Sequence, residues 1–150
     1  GMRYFGREGL TWSLIAPRLH ARYLQAGCIL DSGAPCAFLR EGVQQEELYF
    51  VLGWALTDLC TRILKEVLNH TRNIQSKDFE RLPYPVWVEP ERKRKAVLAV
   101  QALVARARTG QELSFRDSEV RRLNDLYEWR SGFISTIRPK EPTLRQLALF

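Results

Sequence analysis

The fold is decided around residues 69–85, which read NHTRNIQSKDFERLPYP. An apolar run with helical spacing leads into this stretch, and Pro83 and Pro85 close it. Because proline has no backbone N–H and clashes with the turn before it, no helix continues through these positions. Many polar side chains lie between the apolar run and the prolines. They are of types that bond base edges (Asn, Gln, Arg) or phosphates (Arg, Lys, Ser, Thr). The stretch is therefore either a solvated connector or a surface that contacts nucleic acid.

Short strands and turns are predicted before this stretch. Strand-forming residues bounded by proline and glycine indicate four strands, at residues 10–15, 19–24, 28–31 and 37–39. Side chains on a strand repeat every two residues, so Arg18, His20 and Arg22 are expected to share one face of the second strand. That basic face is either a solvated sheet surface or a surface that faces DNA.

One long helix is predicted over residues 45–68. Two acidic residues stand in its first turn, where the helix dipole favours negative charge. Apolar residues then recur every three or four positions from Leu48 to Val67 and form a broad stripe, so we expect this helix in the core. Asn69 is expected to end it.

Two further helices are predicted after the central stretch. Pro90 suits the first turn of a helix, and Gly110 is expected to end that helix. Ser114 and Asp117 have the spacing of a capping box for a last helix, which is expected to stop near Gly132. A short loop between two helices favours an antiparallel hairpin.

These elements together predict an α+β fold in three parts. Residues 2–88 are expected to form a domain with a small mixed or antiparallel sheet and a long core helix. Residues 89–132 are expected to form the helical hairpin, and residues 133–150 a C-terminal tail. An extended segment at residues 85–88 is expected to lead into the hairpin.

The composition is that of a basic globular protein. Of 150 residues, 45% are hydrophobic, and no apolar run approaches the ~20 residues that a membrane span needs. No charged-then-apolar signal pattern begins the sequence, so a cytoplasmic protein is expected. The net charge of +6 favours an anionic partner. Residues 92–116 contain only one acidic residue, Glu112, and seven basic ones. The basic residues form either a solvated helix face or a phosphate-binding surface: Arg92, Lys93, Arg94, Lys95, Arg106, Arg108 and Arg116.

The sequence lacks the usual elements of an enzyme or a metal site. Three cysteines without a Cys-x-x-Cys pair and two distant histidines indicate reduced thiols and no bound metal. The chain has no Gly-x-Gly spacing, no phosphate-binding loop ending in Gly-Lys-Ser/Thr, and no Asp/Asn-Pro-Pro-Tyr/Phe tetrapeptide. We therefore expect no cofactor and no catalysis by this chain alone.

Four ordered segments resemble one protein family. The stretch 69–85 is similar to a segment of bacterial adenine-specific DNA methyltransferases that reads roughly Asn-Pro-Thr-x-Asn-Phe/Ile-Gln-x-Gly/Lys-Asp-Ile/Phe-x-x-Leu-Pro-x-Pro. Before it, residues 9–13 (GLTWS), residues 22–23 with 27–31 (RY and GCILD) and residues 49–57 (YFVLGWALT) resemble further family segments in the same order. The resemblance covers roughly residues 4–88. The matching part of the family is the C-terminal target-recognition region of restriction–modification and phage-exclusion methylases.

The sequence departs from the family pattern at three positions. His70 stands at a usual proline, Thr57 at a usual serine and Lys77 at a frequent glycine. The catalytic half of the family is absent from this sequence, in agreement with the missing tetrapeptide.

The resemblance implies a non-catalytic DNA-recognition role. In the family this region faces the catalytic domain across a cleft that holds double-stranded DNA, selects the sequence and helps hold the duplex while the target adenine is flipped out. Asn73 and Gln75 could bond adenine edges, and Arg72 could reach guanine O6 and N7. The full set of expected DNA-binding residues is Arg18, His20, Arg22, Arg72, Asn73, Gln75, Lys77, Arg92 and Lys93. A separate methylase subunit is a candidate partner.

Other interpretations of the same residues stay open. Trp12 is expected to anchor the core, and Asn69 and Asn73 are equally suited to satisfy backbone groups of an irregular loop. The chain could be half of a type I restriction specificity subunit, although Gly110 ends the long helix earlier than that class requires. It could also be a protein-interaction remnant without DNA specificity.

Overall fold

Three short antiparallel strands open the fold in the computed structural model, which describes residues 6–29, 33–129 and 143–144. They are β1 (Gly9–Thr11), β2 (Arg22–Leu24) and β3 (Cys36–Ala37), in the sheet order β2-β1-β3. Leu10 of β1 is buried and lies opposite Tyr23 in β2 and Ala37 in β3. The sheet and the helices that follow it confirm the predicted α+β class.

The strands are shorter than the sequence predicts. After Thr11 the chain leaves the regular ladder, with Trp12 N–H donating to the carbonyl of Pro35 at 3.2 Å. Cys28 and Ile29 belong to no strand, so that part of the predicted third strand is wrong. The rest of it, residues 30 and 31, lies outside the described residues.

The prediction of one helix over residues 45–68 is wrong. The region divides into α1 (Glu46–Ala55), α2 (Asp58–Arg62) and a π-helical segment (Ile63–Leu68). Thr57 causes the break, because its backbone is extended and its buried Oγ1 accepts the N–H of Cys60 at 3.1 Å while donating to the carbonyl of Trp54 at 2.7 Å. A threonine oxygen in this position caps the second helix and replaces the hydrogen bonds of a continuous one.

Three more helices complete the described chain: α3 (Ser76–Glu80), α4 (Pro90–Arg108) and α5 (Ser118–Leu126). The start of α4 at Pro90 is confirmed, and its end is followed by Gly110, whose φ of +83° suits glycine. The helix α5 begins later than predicted, since Ser114 and Asp117 form a preceding turn in which the Asp117 carboxylate accepts the Ser114 N–H at 2.9 Å. The helix ends at Leu126, so the predicted stop near Gly132 is wrong. Residues 85–88 form a turn rather than an extended segment.

Close approach of α1 to α4 and α5 shapes the core. A Cβ at Gly53 would lie 2.5 Å from the Tyr127 hydroxyl oxygen and 2.9 Å from Cγ2 of Val100. The buried Tyr127 hydroxyl donates to the carbonyl of Phe50 at 2.6 Å, and Trp87 Nε1 donates to the carbonyl of Tyr127 at 3.1 Å. The described residues of the predicted domain and of the predicted hairpin therefore contribute to one core. None of the helices in the described ranges has the length and apolar character needed to cross a membrane.

Candidate nucleic-acid interface

Asn69 is the centre of a hydrogen-bond network that holds residues 69–75, the clamped loop. Its Nδ2 donates to the Asp78 carboxylate at 2.7 Å and to the carbonyl of Asn73. Its Oδ1 accepts the N–H of Thr71 at 2.8 Å and the Thr71 hydroxyl at 2.7 Å. The prediction that Asn69 satisfies backbone groups of an irregular loop is confirmed.

Asp78 fastens the far end of the clamped loop to α3. Its side chain is only 6% exposed, and the carboxylate also accepts the backbone N–H of Gln75 at 3.0 Å. Gln75 is the extended residue before α3, so the acid stands three residues after the helix cap, where it binds an otherwise unpaired N–H. Sequence analysis missed Asp78, although the spacing Gln75 to Asp78 is the signal that could have identified it.

Trp12 and Phe79 support the loop from the core side. Their rings stack with centroids 4.4 Å apart, and Trp12 Nε1 donates to the carbonyl of Ile74 at 2.9 Å. Trp12 is fully buried, which confirms its predicted role as a core anchor.

The clamped loop is also paired with residues 14–16. Ile74 N–H donates to the carbonyl of Leu14 at 2.7 Å, and Ala16 N–H donates to that of Arg72 at 3.0 Å. Asn73 and Ile15 face each other in an isolated antiparallel bridge, so their side chains share one face. Ile15 is 69% exposed and Asn73 is exposed, and the shared face is therefore turned to solvent.

The three predicted base-contacting residues of the clamped loop are all exposed: Arg72, Asn73 and Gln75. Lys77 of α3, which was also predicted to contact DNA, is exposed as well. Among the described residues, no acidic side chain forms an ion pair with Arg72 or Lys77. Lys65 donates to the carbonyl of Thr71, within the clamped loop, at 2.8 Å. Burial lowers the pKa of Lys65, and the nearby Arg72 lowers it further against the opposing attraction of Asp78.

A second basic group gathers around Phe115 and is named here the Phe115 cluster: Arg18, His20, Arg22 and Phe115. The Arg18 guanidinium lies 3.8 Å from the Phe115 ring centroid and pairs with Asp58 at 2.9 Å. His20 is edge-on to the same ring, with centroids 5.2 Å apart. Burial, then the charges of Arg18 and Arg22, lower the pKa of His20. Only Arg22 lies within β2, so the three predicted residues are neighbours but do not form one strand face.

Residues 13–16 connect the two basic groups. Arg22 donates to the Ser13 hydroxyl at 3.1 Å, and Leu14 lines a shallow depression together with Gln75, Ser76 and Lys77. Through these contacts the clamped loop and the Phe115 cluster lie on either side of one short segment.

Arg92 and Lys93 are engaged within the fold. The Arg92 guanidinium donates to the carbonyls of Asp125 and Glu128 at the end of α5, where the helix dipole favours a cation. Lys93 pairs with the Glu47 carboxylate and donates to the Tyr84 hydroxyl at 3.1 Å. The charged groups of both predicted DNA-binding residues therefore have partners within the fold.

Sequence analysis did not single out Arg121 of α5. The carboxylate of Asp58, which pairs with Arg18, accepts from Asn124 Nδ2 at 3.3 Å, and Asn124 Oδ1 accepts the Asp58 N–H at 2.8 Å. Arg121 precedes Asn124 by three residues, so the two lie on one face of α5, and Arg121 is exposed. The face of α5 that carries Asn124 therefore adds one more cation next to the Phe115 cluster.

No group of three or more metal-binding side chains occurs within the residues that the structure describes. Cys28, Cys36 and Cys60 are free thiols, and complete burial raises the pKa of Cys60. Comparisons of the chain with protein-family models, with curated proteins and with solved structures found no match.

Proposed function

We propose that this chain is a DNA sequence-recognition domain of the kind that bacterial adenine-specific DNA methyltransferases carry beside their catalytic domain. The observation that supports it most is the clamped loop, which is held from inside by Asn69 and Asp78 while Arg72 and Asn73 project into solvent. A loop held before binding loses little conformational entropy when it meets its ligand.

The exposed side chains match the chemistry of base edges. An arginine bonds guanine O6 and N7 in the major groove, and an asparagine or glutamine bonds adenine N6 and N7. In the proposed complex Arg72 contacts a guanine, and Asn73 and Gln75 contact adenines. Each good pair of this kind contributes ~1–3 kcal/mol of discrimination against the wrong base.

The remaining cations supply phosphate contacts. Lys77 stands beside the loop, while Arg22, His20 and Arg18 stand in the Phe115 cluster, with Arg121 next to it. Such contacts position the duplex, carry no sequence information and make the affinity depend on salt. Arg92 and Lys93 are left out of the proposed surface because their charged groups bond within the fold.

Catalysis belongs to a different polypeptide in this proposal. The recognition domain selects the site in bacterial restriction–modification, and a separate methylase subunit supplies the cofactor and flips the adenine. Within the cytoplasm of the cell the two would assemble around one duplex.

The decisive experiment is selection from a pool of random DNA duplexes with the purified chain at low and moderate salt, followed by sequencing of the retained fraction. An enriched motif is expected, and Arg72→Ala should relax it at one position. Arg94→Ala is the matched control, because Arg94 is also exposed but pairs with Glu91 on α4. Retention without enrichment would overturn sequence recognition, and no retention at low salt would overturn DNA binding altogether.

A further inference from the structure

An elongated groove runs along β2 and contains none of the residues of the clamped loop. Two adjoining cavities form it, with volumes of about 290 and 360 Å³. They share Ala21, Arg22, Leu56, Leu113 and Val120, so together they form one continuous depression.

The floor of the groove is apolar and buried. It is built where the C-terminal halves of α1 and α4 meet α5, and its buried members are Leu52, Val100, Leu103, Val104 and Val120. Leu113, from the loop between α4 and α5, lies at both cavities. Apolar atoms that enter this space would leave water and gain contacts with the floor.

The rim of the groove carries two arginines. Arg22 lines both cavities, Arg108 lines the first and His20 lines the second, against the single acid Glu112. The guanidinium of Arg108 lies 5.1 Å from the Tyr23 ring centroid and forms an ion pair with Glu8 at 3.4 Å. The rim therefore complements an anionic group next to an apolar one.

One wall of the groove is an edge strand. In the sheet order β2-β1-β3, one side of β2 pairs with β1, and no described strand pairs with its other side. Arg22 and Tyr23 of β2 line the groove, together with residues 20, 21 and 25 on either side of them. The three residues of β2 span about 10 Å at the usual rise of a strand. A free strand edge presents backbone N–H and C=O groups that an added strand can bond.

We propose that this groove binds an extended segment of a partner protein, in which acidic and apolar residues alternate, as a fourth strand beside β2. The apolar side chains occupy the floor, the acidic ones meet Arg22 and Arg108, and the backbone bonds the free edge of β2. The free edge of β2 beside the groove favours an extended peptide over a compact ligand, and the two arginines of the rim favour an acidic one. The proposal does not depend on DNA recognition.

The test uses a fluorescein-labelled ten-residue peptide of alternating leucine and aspartate, titrated with the whole chain and followed by fluorescence anisotropy. The same peptide with lysine in place of aspartate is the charge control. Ala107→Trp fills the groove from an exposed lining position, and Ala105→Trp places the same side chain on α4 outside the lining. The aspartate peptide is expected to bind, and Ala107→Trp to weaken binding by at least about tenfold, or ~1.4 kcal/mol, while Ala105→Trp leaves it unchanged.

Three results would overturn the proposal: no binding of the aspartate peptide, equal binding of the lysine peptide, or equal weakening by the two tryptophan variants. Amide chemical shifts of the unmodified chain give an independent measurement, should a variant fold poorly. Shifts of Arg22, Tyr23 and Leu24 on adding the peptide are expected, and their absence would also overturn it. DNA retention by Ala107→Trp should equal that of the unmodified chain, so failure of one proposal is distinguishable from failure of the other.

Discussion

The Asn69 side chain makes four hydrogen bonds, to Thr71 and Asn73 within the clamped loop and to Asp78 after it. We expect Asn69→Ala to lower the free energy of unfolding by ~1–3 kcal/mol, since it leaves partly buried donors and acceptors unpaired. Urea unfolding measures the change. His70→Ala is the control, because His70 is the exposed neighbour, and an equal loss in both variants would contradict the central role of Asn69.

His20 should make stability depend on pH. Burial and the charges of Arg18 and Arg22 hold its pKa below the ordinary value of about 6.5. The unfolded chain therefore binds more protons in mild acid, so stability is full above about pH 6.5 and falls as the pH drops through that value toward the lower pKa of the folded chain. Urea unfolding at pH 7.5 and 5.5 should show a smaller decrease in His20→Gln than in the unmodified chain. Identical decreases would show that other groups cause it.

At the scale of elements, the approach of α1 to α4 depends on Gly53. A methyl group there would lie 2.5 Å from the Tyr127 hydroxyl, so Gly53→Ala should destabilise the fold by ~1–3 kcal/mol. Tyr127→Phe removes that hydroxyl together with its bond to Phe50, at a cost of ~1 kcal/mol. Thermal unfolding of both variants and of the double variant should show that the double loss is smaller than the sum. If the two single losses add exactly in the double variant, the Tyr127 hydroxyl is not the group that a methyl group at position 53 strains against.

The elements also show what the sequence can and cannot predict. The bounds of α4 followed from Pro90 and Gly110, because both act through local backbone geometry. The break at Thr57 was missed because a threonine inside an apolar stripe fits a helix equally well until its hydroxyl bonds the backbone of Trp54 and Cys60. In the candidate interface, the polar character of the clamped loop was visible in sequence. The ion pair between Lys93 and Glu47 could not be predicted from the sequence, because the two residues lie 46 positions apart in the chain.

Across the whole molecule, the basic residues divide into cations bonded within the fold and cations turned to solvent. This division explains why a net charge of +6 says little about which residues would contact DNA. Arg92, Lys93 and Arg106 all bond partners from other elements, whereas Arg72 and Lys77 have no ion-pair partner in the described ranges. Binding and stability should therefore respond to different lysines.

Lys77→Ala and Lys93→Ala test this division directly. Lys77→Ala should weaken DNA binding and reduce the slope of log affinity against log salt by about 0.9, the value for one phosphate contact, without changing stability. Lys93→Ala should leave that slope unchanged and lower the free energy of unfolding by ~1–3 kcal/mol, because it leaves the half-buried Glu47 and Tyr84 without their cation. DNA binding at several salt concentrations and urea unfolding of both variants give the comparison. Two results would contradict this division of the basic residues. One is a lower free energy of unfolding in Lys77→Ala, and the other is a smaller salt dependence of DNA affinity in Lys93→Ala.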